Sequence, residues 1–91
     1  MARVRVRGRV QGVWFRGWAV DQASALGLDG WVRNRVDGGV ELMVSGPSPQ
    51  VARMIEQCWR GSPAARVDAV DVTDVEDPRD LSAGFVQRST V

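Results

Sequence analysis

The residues of this chain that could do chemistry are few, and most lie in one stretch. Gly8-Arg9-Val10-Gln11-Gly12-Val13-Trp14-Phe15-Arg16 links a segment of alternating residues to a segment with helical spacing. A strand-to-helix connection of this kind gathers unpaired backbone N–H groups, and the helix dipole adds partial positive charge. Arg16 opens the helix, so its guanidinium could fold back over the same point. Several N–H donors plus one bidentate cation suit a tetrahedral dianion. The Lys-Ser/Thr ending of a Walker loop is missing. On its own, the stretch also reads as an ordinary connection whose arginine sits in solvent. Asn34 is the second candidate. Alternation places it near the end of a strand on the side of Val32, the face expected to be covered. An amide is disfavoured in a strand and needs a partner there. A turn-forming asparagine bonded to the nearby hairpin backbone would also account for it.

Most other chemistries are removed by what the chain lacks. Its 91 residues include no histidine and no tyrosine, and all 12 basic residues are arginine. Histidine bases and histidine metal ligands are therefore excluded. A single cysteine, Cys58, excludes an internal disulfide framework and a cysteine-rich zinc site. No arginine follows it at the spacing of a cysteine-phosphatase loop, and its apolar neighbours at helical spacing make it a core residue. Asp68, Asp71, Asp74, Asp77 and Asp80 recur at every third position. A strand alternates faces, so that spacing cannot gather them on one side. They read as a solvated acidic edge that discourages edge pairing. No metal and no other cofactor is expected. The net charge of +1 gives no field that would favour nucleic acid. The length is that of a single domain, residues 1–91. The longest apolar run is three residues, far short of a membrane span. No basic start leads into an apolar stretch, as a signal peptide would require. The expectation is a freestanding cytoplasmic monomer acting on a small molecule.

The elements that must position Arg16 and Asn34 follow from periodicity. Ala2-Arg3-Val4-Arg5-Val6-Arg7 alternates and predicts a strand with its valines inward. Phe15, Ala19, Ala23 and Leu26 recur at helical spacing, and Gly27 stops that helix. Leu28 to Val36 predicts a second strand, Asp37-Gly38 a hairpin turn, and Val40 to Val44 the returning strand. Ser48 is the expected N-cap of a second helix, with Pro49 at its first position. Val51, Met54, Ile55, Cys58 and Trp59 form its apolar stripe, and Gly61 ends it. Val67 to Val75 predicts a fourth strand. Val67 is out of phase with Val70 and Val72, which a bulge or a late strand start would explain. After an Asp77-Pro78 turn, Phe85 and Val86 begin a short last strand. The order β-α-β-β-α-β with a final β is an α+β arrangement. Two helices covering one face of a mainly antiparallel sheet make it the ferredoxin-like sandwich. RNA-recognition domains share that order, but they stack bases on aromatic residues of the central strands. Here those strands carry Arg3, Val4, Arg5, Val6 and Arg7, and Val40 to Val44, with no aromatic. Trp14, Trp18, Trp31 and Trp59 read as packing or rim residues.

The loop from Gly8 to Arg16 resembles the first signature of the acylphosphatase family. Gly27-Leu28-Asp29-Gly30-Trp31-Val32-Arg33-Asn34, followed by Asp37-Gly38-Gly39-Val40-Glu41, resembles its second. Gly61-Ser62-Pro63-Ala64-Ala65-Arg66-Val67 and Phe85 also fit, so the resemblance covers nearly the whole chain. It implies the ferredoxin-like fold and hydrolysis of acyl phosphates. By position, Arg16 matches the family's phosphate-binding arginine and Asn34 its water-orienting asparagine. Gln11, Gly12, Val13, Trp14, Phe15 and Arg16 would form the substrate-binding loop. Such a reaction suits a chain without histidine, because the leaving group is a carboxylate that departs without a proton. The alternative implied by the same resemblance is a non-catalytic domain that binds phosphate or carbamoyl phosphate, as in hydrogenase-maturation proteins. Two residues depart from the family pattern. Gln87 stands where the last strand usually carries an apolar residue, which bears on the packing of that strand rather than on the site. Gly17, just after the key arginine, is expected to loosen the helix start.

Overall fold

The computed structural model of the chain describes residues 1–75 and 83–90. The elements are β1 (Ala2–Arg9), α1 (Phe15–Ala25), β2 (Asp29–Asn34), β3 (Val40–Ser45), α2 (Ser48–Arg60), β4 (Arg66–Asp74) and β5 (Phe85–Gln87). The five strands form one sheet in the order β4-β1-β3-β2-β5. β1 runs antiparallel to β3 and β4, β2 antiparallel to β3, and β5 parallel to β2. The expected Asp77-Pro78 turn, and Asp77 and Asp80 of the acidic edge, lie outside the described residues.

The alternation of β1 settles its two faces. Ala2, Val4 and Val6 are buried, and they join Val32, Leu42 and Val44 in the core. The helices cover that face with Phe15, Trp18, Ala19 and Ala23 of α1 and Met54 and Cys58 of α2. β1 runs on to Arg9, past the expected end at Arg7, because β4 pairs with it through Gly8 and Arg9. The pairing steps from Arg7↔Ala69 to Gly8↔Val67, so Asp68 is an extra residue on β4. That bulge accounts for the phase of Val67. Gly8 has φ 130°, and a Cβ there would lie 2.2 Å from the Arg66 carbonyl oxygen. Only glycine allows the two strands to close at this point.

Two details of α2 differ from the sequence expectation. The helix begins at Ser48, with Pro47 as its N-cap and no side-chain cap bond. The Pro47 carbonyl accepts from the N–H groups of Gln50 and Val51, both at 3.0 Å, so helical bonding starts one residue earlier than Ser48 would set it. Trp59 is 53% exposed rather than part of the buried stripe. At 3.6 residues per turn it lies roughly 80° round the helix from Val51, at the edge of the stripe.

On the uncovered face, β3 carries Glu41, which is only 4% exposed. Its carboxylate accepts from Arg33 Nε at 2.8 Å and Arg35 Nη1 at 3.3 Å. Arg3 Nε lies 3.6 Å away. Arg33 and Arg35 flank Asn34 in the chain. Holding both on one face turns Asn34 to the other, beneath α1.

Candidate active site

The loop between β1 and α1 is pinned at several points. Val10 is buried in the core. Gln11 Nε2 donates to the carbonyl oxygens of Arg35 at 2.6 Å and Gly39 at 2.8 Å, which ties the loop to the β2–β3 hairpin. The Val13 carbonyl accepts from Ser62 Oγ at 2.8 Å, and Ser62 is itself buried. Phe15 then enters the core, its ring 5.1 Å from that of Trp18.

Between these anchors the backbone takes left-handed conformations at Gly12 (φ 73°) and Trp14 (φ 61°). Trp14 is the N-cap of α1 and provides no side-chain cap bond. The first helical bond runs from the Trp18 N–H to the Trp14 carbonyl at 3.1 Å. The N–H groups of Phe15, Arg16 and Gly17 therefore have no helical acceptor. No acidic residue lies in the first turn to use that positive end.

A cleft of about 140 Å³ opens at this point. Val10, Gly12, Trp14, Phe15, Arg16 and Gly17 line it from the loop and α1, Asn34 from β2, and Gln87 from β5. Its size exceeds the roughly 30 Å³ share of one water and falls below the ~300 Å³ of drug-sized pockets, so it suits a small ion with water beside it. Arg16 is half-buried and makes no hydrogen bond or ion pair among the described residues. Asn34 Oδ1 is buried and has no hydrogen-bond partner among them. The hairpin turn does not use Asn34. Asp37 Oδ1 accepts from the Gly39 N–H at 3.0 Å, and Asp37 Oδ2 pairs with Arg5 at 2.7 Å. These bonds hold the Asp37 carboxyl below its usual range, the Gly39 N–H foremost.

The structure thus brings Gly12, Trp14, Phe15, Arg16 and Asn34 to one cleft. The side chains of Gln11 and Val13 are turned elsewhere, to the hairpin and towards the core. Two residues take places that the sequence reading did not give them. Gln87 is exposed and lines the cleft, so the polar residue in β5 bears on the site and not on core packing. β5 pairs Val32 with Gln87, and Asn34 is two residues beyond Val32 on the same face. The alternation of Phe85 and Gln87 was visible, but the partner strand was not. Gly17 sits under the Trp14 indole: a Cβ there would lie 2.1 Å from Trp14 Nε1. Its role is to admit that ring, and α1 starts at Phe15 regardless.

Comparison with known proteins follows the same residues. The acylphosphatase family model matches residues 2–87. The chain is 57% identical over 89 residues to an acylphosphatase of Rhizorhabdus wittichii, covering 98% of this chain and 88% of that protein. It is 50% identical over 88 residues to one of Rhodospirillum rubrum, covering 97% and 94%. Its structure is similar to that of an acylphosphatase from Bacillus subtilis, with a TM-score of 0.90, 36% identity and 96% of each chain covered.

Proposed function

The chain belongs to the acylphosphatase family, and from that premise we propose that Arg16 and the open N-terminus of α1 hold the substrate phosphate while Asn34 holds the attacking water. Its activity is the hydrolysis of acyl phosphates to a carboxylate and inorganic phosphate. One observation carries the assignment of roles. Arg16, which has no hydrogen-bond or ion-pair partner among the described residues, Asn34, whose buried Oδ1 also lacks one among them, and the uncapped helix start all line one cleft.

The chemistry needs little more. The guanidinium and the N–H groups of the loop and first turn neutralise the phosphoryl oxygens. The Asn34 carboxamide hydrogen-bonds a water and aims its oxygen at phosphorus, opposite the leaving group. The water oxygen bonds to phosphorus as the bond from phosphorus to the acyl oxygen breaks. The carboxylate leaves with the electron pair of that bond. A carboxamide is too weak a base to take the proton, which passes to a phosphate oxygen. No general acid is required.

The reading as a domain that only binds a phosphorylated ligand is not favoured, since relatives matched along most of their length are acylphosphatases. No helix among the described residues is long and apolar enough to cross a membrane. We take residues 1–91 as one domain, acting as a cytoplasmic monomer without metal. The single free cysteine, buried, is in keeping with a reducing compartment. The test is release of inorganic phosphate from benzoyl phosphate, with phosphomonoesters as controls. Rapid release from benzoyl phosphate alone is the expected result. No release from it would overturn the reading.

A further inference from the structure

Trp14 is the one non-glycine residue with positive φ among the described residues. A bulky side chain is costly in that region, and glycine could supply the same backbone freely. The indole does not repay that cost by filling the core, because Trp14 is 62% exposed. It lies instead at the cleft, in the space that a Cβ on Gly17 would take. An exposed aromatic ring seated against the helix at the rim of a phosphate-sized cleft is a surface for the rest of the substrate.

The direction of displacement says which part. Residues on α1 step by about 100°, so Gly17 lies roughly 200° round from Phe15. Phe15 points into the core, so Gly17 and the indole seated on it face away from the sheet. Asn34 rises from the sheet and holds the water there. In-line attack sends the leaving group away from that water, hence away from the sheet and toward the indole. Gln87, beside Asn34 on the sheet side, stands on the side of the water. We propose that the indole of Trp14, seated on Gly17, is the wall against which the acyl group packs, making planar aromatic acyl phosphates preferred over acetyl phosphate. This rests on the roles given above to Arg16 and Asn34.

The readout is the ratio of kcat/KM for benzoyl phosphate to that for acetyl phosphate. Trp14→Gly removes the ring and relieves the backbone, so the fold should hold, with an unchanged or higher Tm. Gly17→Ala keeps the ring but displaces it. Both variants should lower the ratio roughly three- to tenfold, the size of one aromatic contact, and Trp14→Phe should retain part of it. An unchanged ratio in both folded variants would overturn the proposal. Inhibition by benzoylphosphonate against acetylphosphonate repeats the comparison without turnover. An inert wild-type enzyme that still prefers benzoylphosphonate through Trp14 would refute the catalytic reading and uphold the wall. Equal inhibition by both phosphonates would refute the wall.

Discussion

Arg16 and Asn34 face the same cleft but are asked for different things, so their replacements should fail differently. In the proposed mechanism Arg16 grips the phosphate in ground and transition states. Arg16→Ala should abolish turnover and weaken competitive inhibition by inorganic phosphate, and Arg16→Lys should not restore either, because an ammonium lacks the planar two-point contact. The role proposed for Asn34 is to hold only the water. Asn34→Ala should lower kcat by the equivalent of about 3 kcal/mol, as for loss of one transition-state donor, while phosphate inhibition stays near the wild-type value. Its stability should not fall, since the substitution deletes a buried acceptor that has no partner among the described residues. A thermal melt checks this. If Asn34→Ala lost phosphate binding as severely as Arg16→Ala, the division of roles would be wrong. Neither a guanidinium nor a carboxamide changes charge between about pH 5 and 8, and the chain has no histidine. The rate should therefore be nearly flat across that interval. A steep bell would reveal an ionising catalyst elsewhere.

The elements explain why some of the site was legible before the structure and some was not. β1, the Asp37-Gly38 turn and the α2 stripe are local patterns, and each was read from neighbouring residues. Arg16 and Asn34 were found because a glycine loop and a strand amide are local anomalies. That Gln87 bears on the site, and not only on the packing of the last strand, is not a local signal, because it depends on β5 lying beside β2, a pairing between distant segments. The left-handed Trp14 was not legible, because no residue type announces it. Gln11 shows a third case: the loop was right, but the side chain serves the scaffold. Gln11→Ala removes two bonds to the hairpin, and should cost about 1–3 kcal/mol through the carbonyls left behind. It should also weaken phosphate inhibition, since the cradle loses its tie to β2 and β3. Unchanged inhibition would mean that Val10 and the Ser62 bond suffice to hold the loop. In α2, burial pushes the Cys58 thiol up from 9.0 to about 12. A raised folded value means full stability below pH 9, lost progressively as pH rises toward 12. The native thiol should be inert to thiol reagents at pH 8 and react only on unfolding. Fast labelling of the native protein would contradict its burial.

Across the whole molecule, charge is divided between two faces with different uses. On the open face, Arg3, Arg33 and Arg35 converge on Glu41, Arg5 on Asp37 and Arg7 on Asp71. Trp31 on that face is only 2% exposed, with the guanidinium groups of Arg33 and Arg88 at 4.5 and 5.4 Å from its ring centre. That arrangement engages most of the described arginines of the face, Arg9 excepted, and covers its tryptophan, which leaves little surface for stacking bases. At the cleft, by contrast, Arg16 and the buried Asn34 Oδ1 have no partner among the described residues. Among the described residues, no group of three His, Cys, Asp or Glu side chains could hold a metal ion. Among the described residues, the cleft lining contains no acidic residue to protonate a leaving group. Such a site can neutralise phosphate and place water, but it cannot help an alkoxide depart. The enzyme should therefore discriminate by leaving group: acyl phosphates that release a carboxylate should turn over, and an alkyl monoester such as glycerol phosphate should bind and resist. Phosphate release measured on both substrates, with and without a chelator, checks this. A chelator should leave the rate on benzoyl phosphate unchanged. Comparable rates on the alkyl monoester would require a proton donor that the described cleft lining does not supply, and loss of activity on chelation would require a metal that no cluster of the described residues could hold.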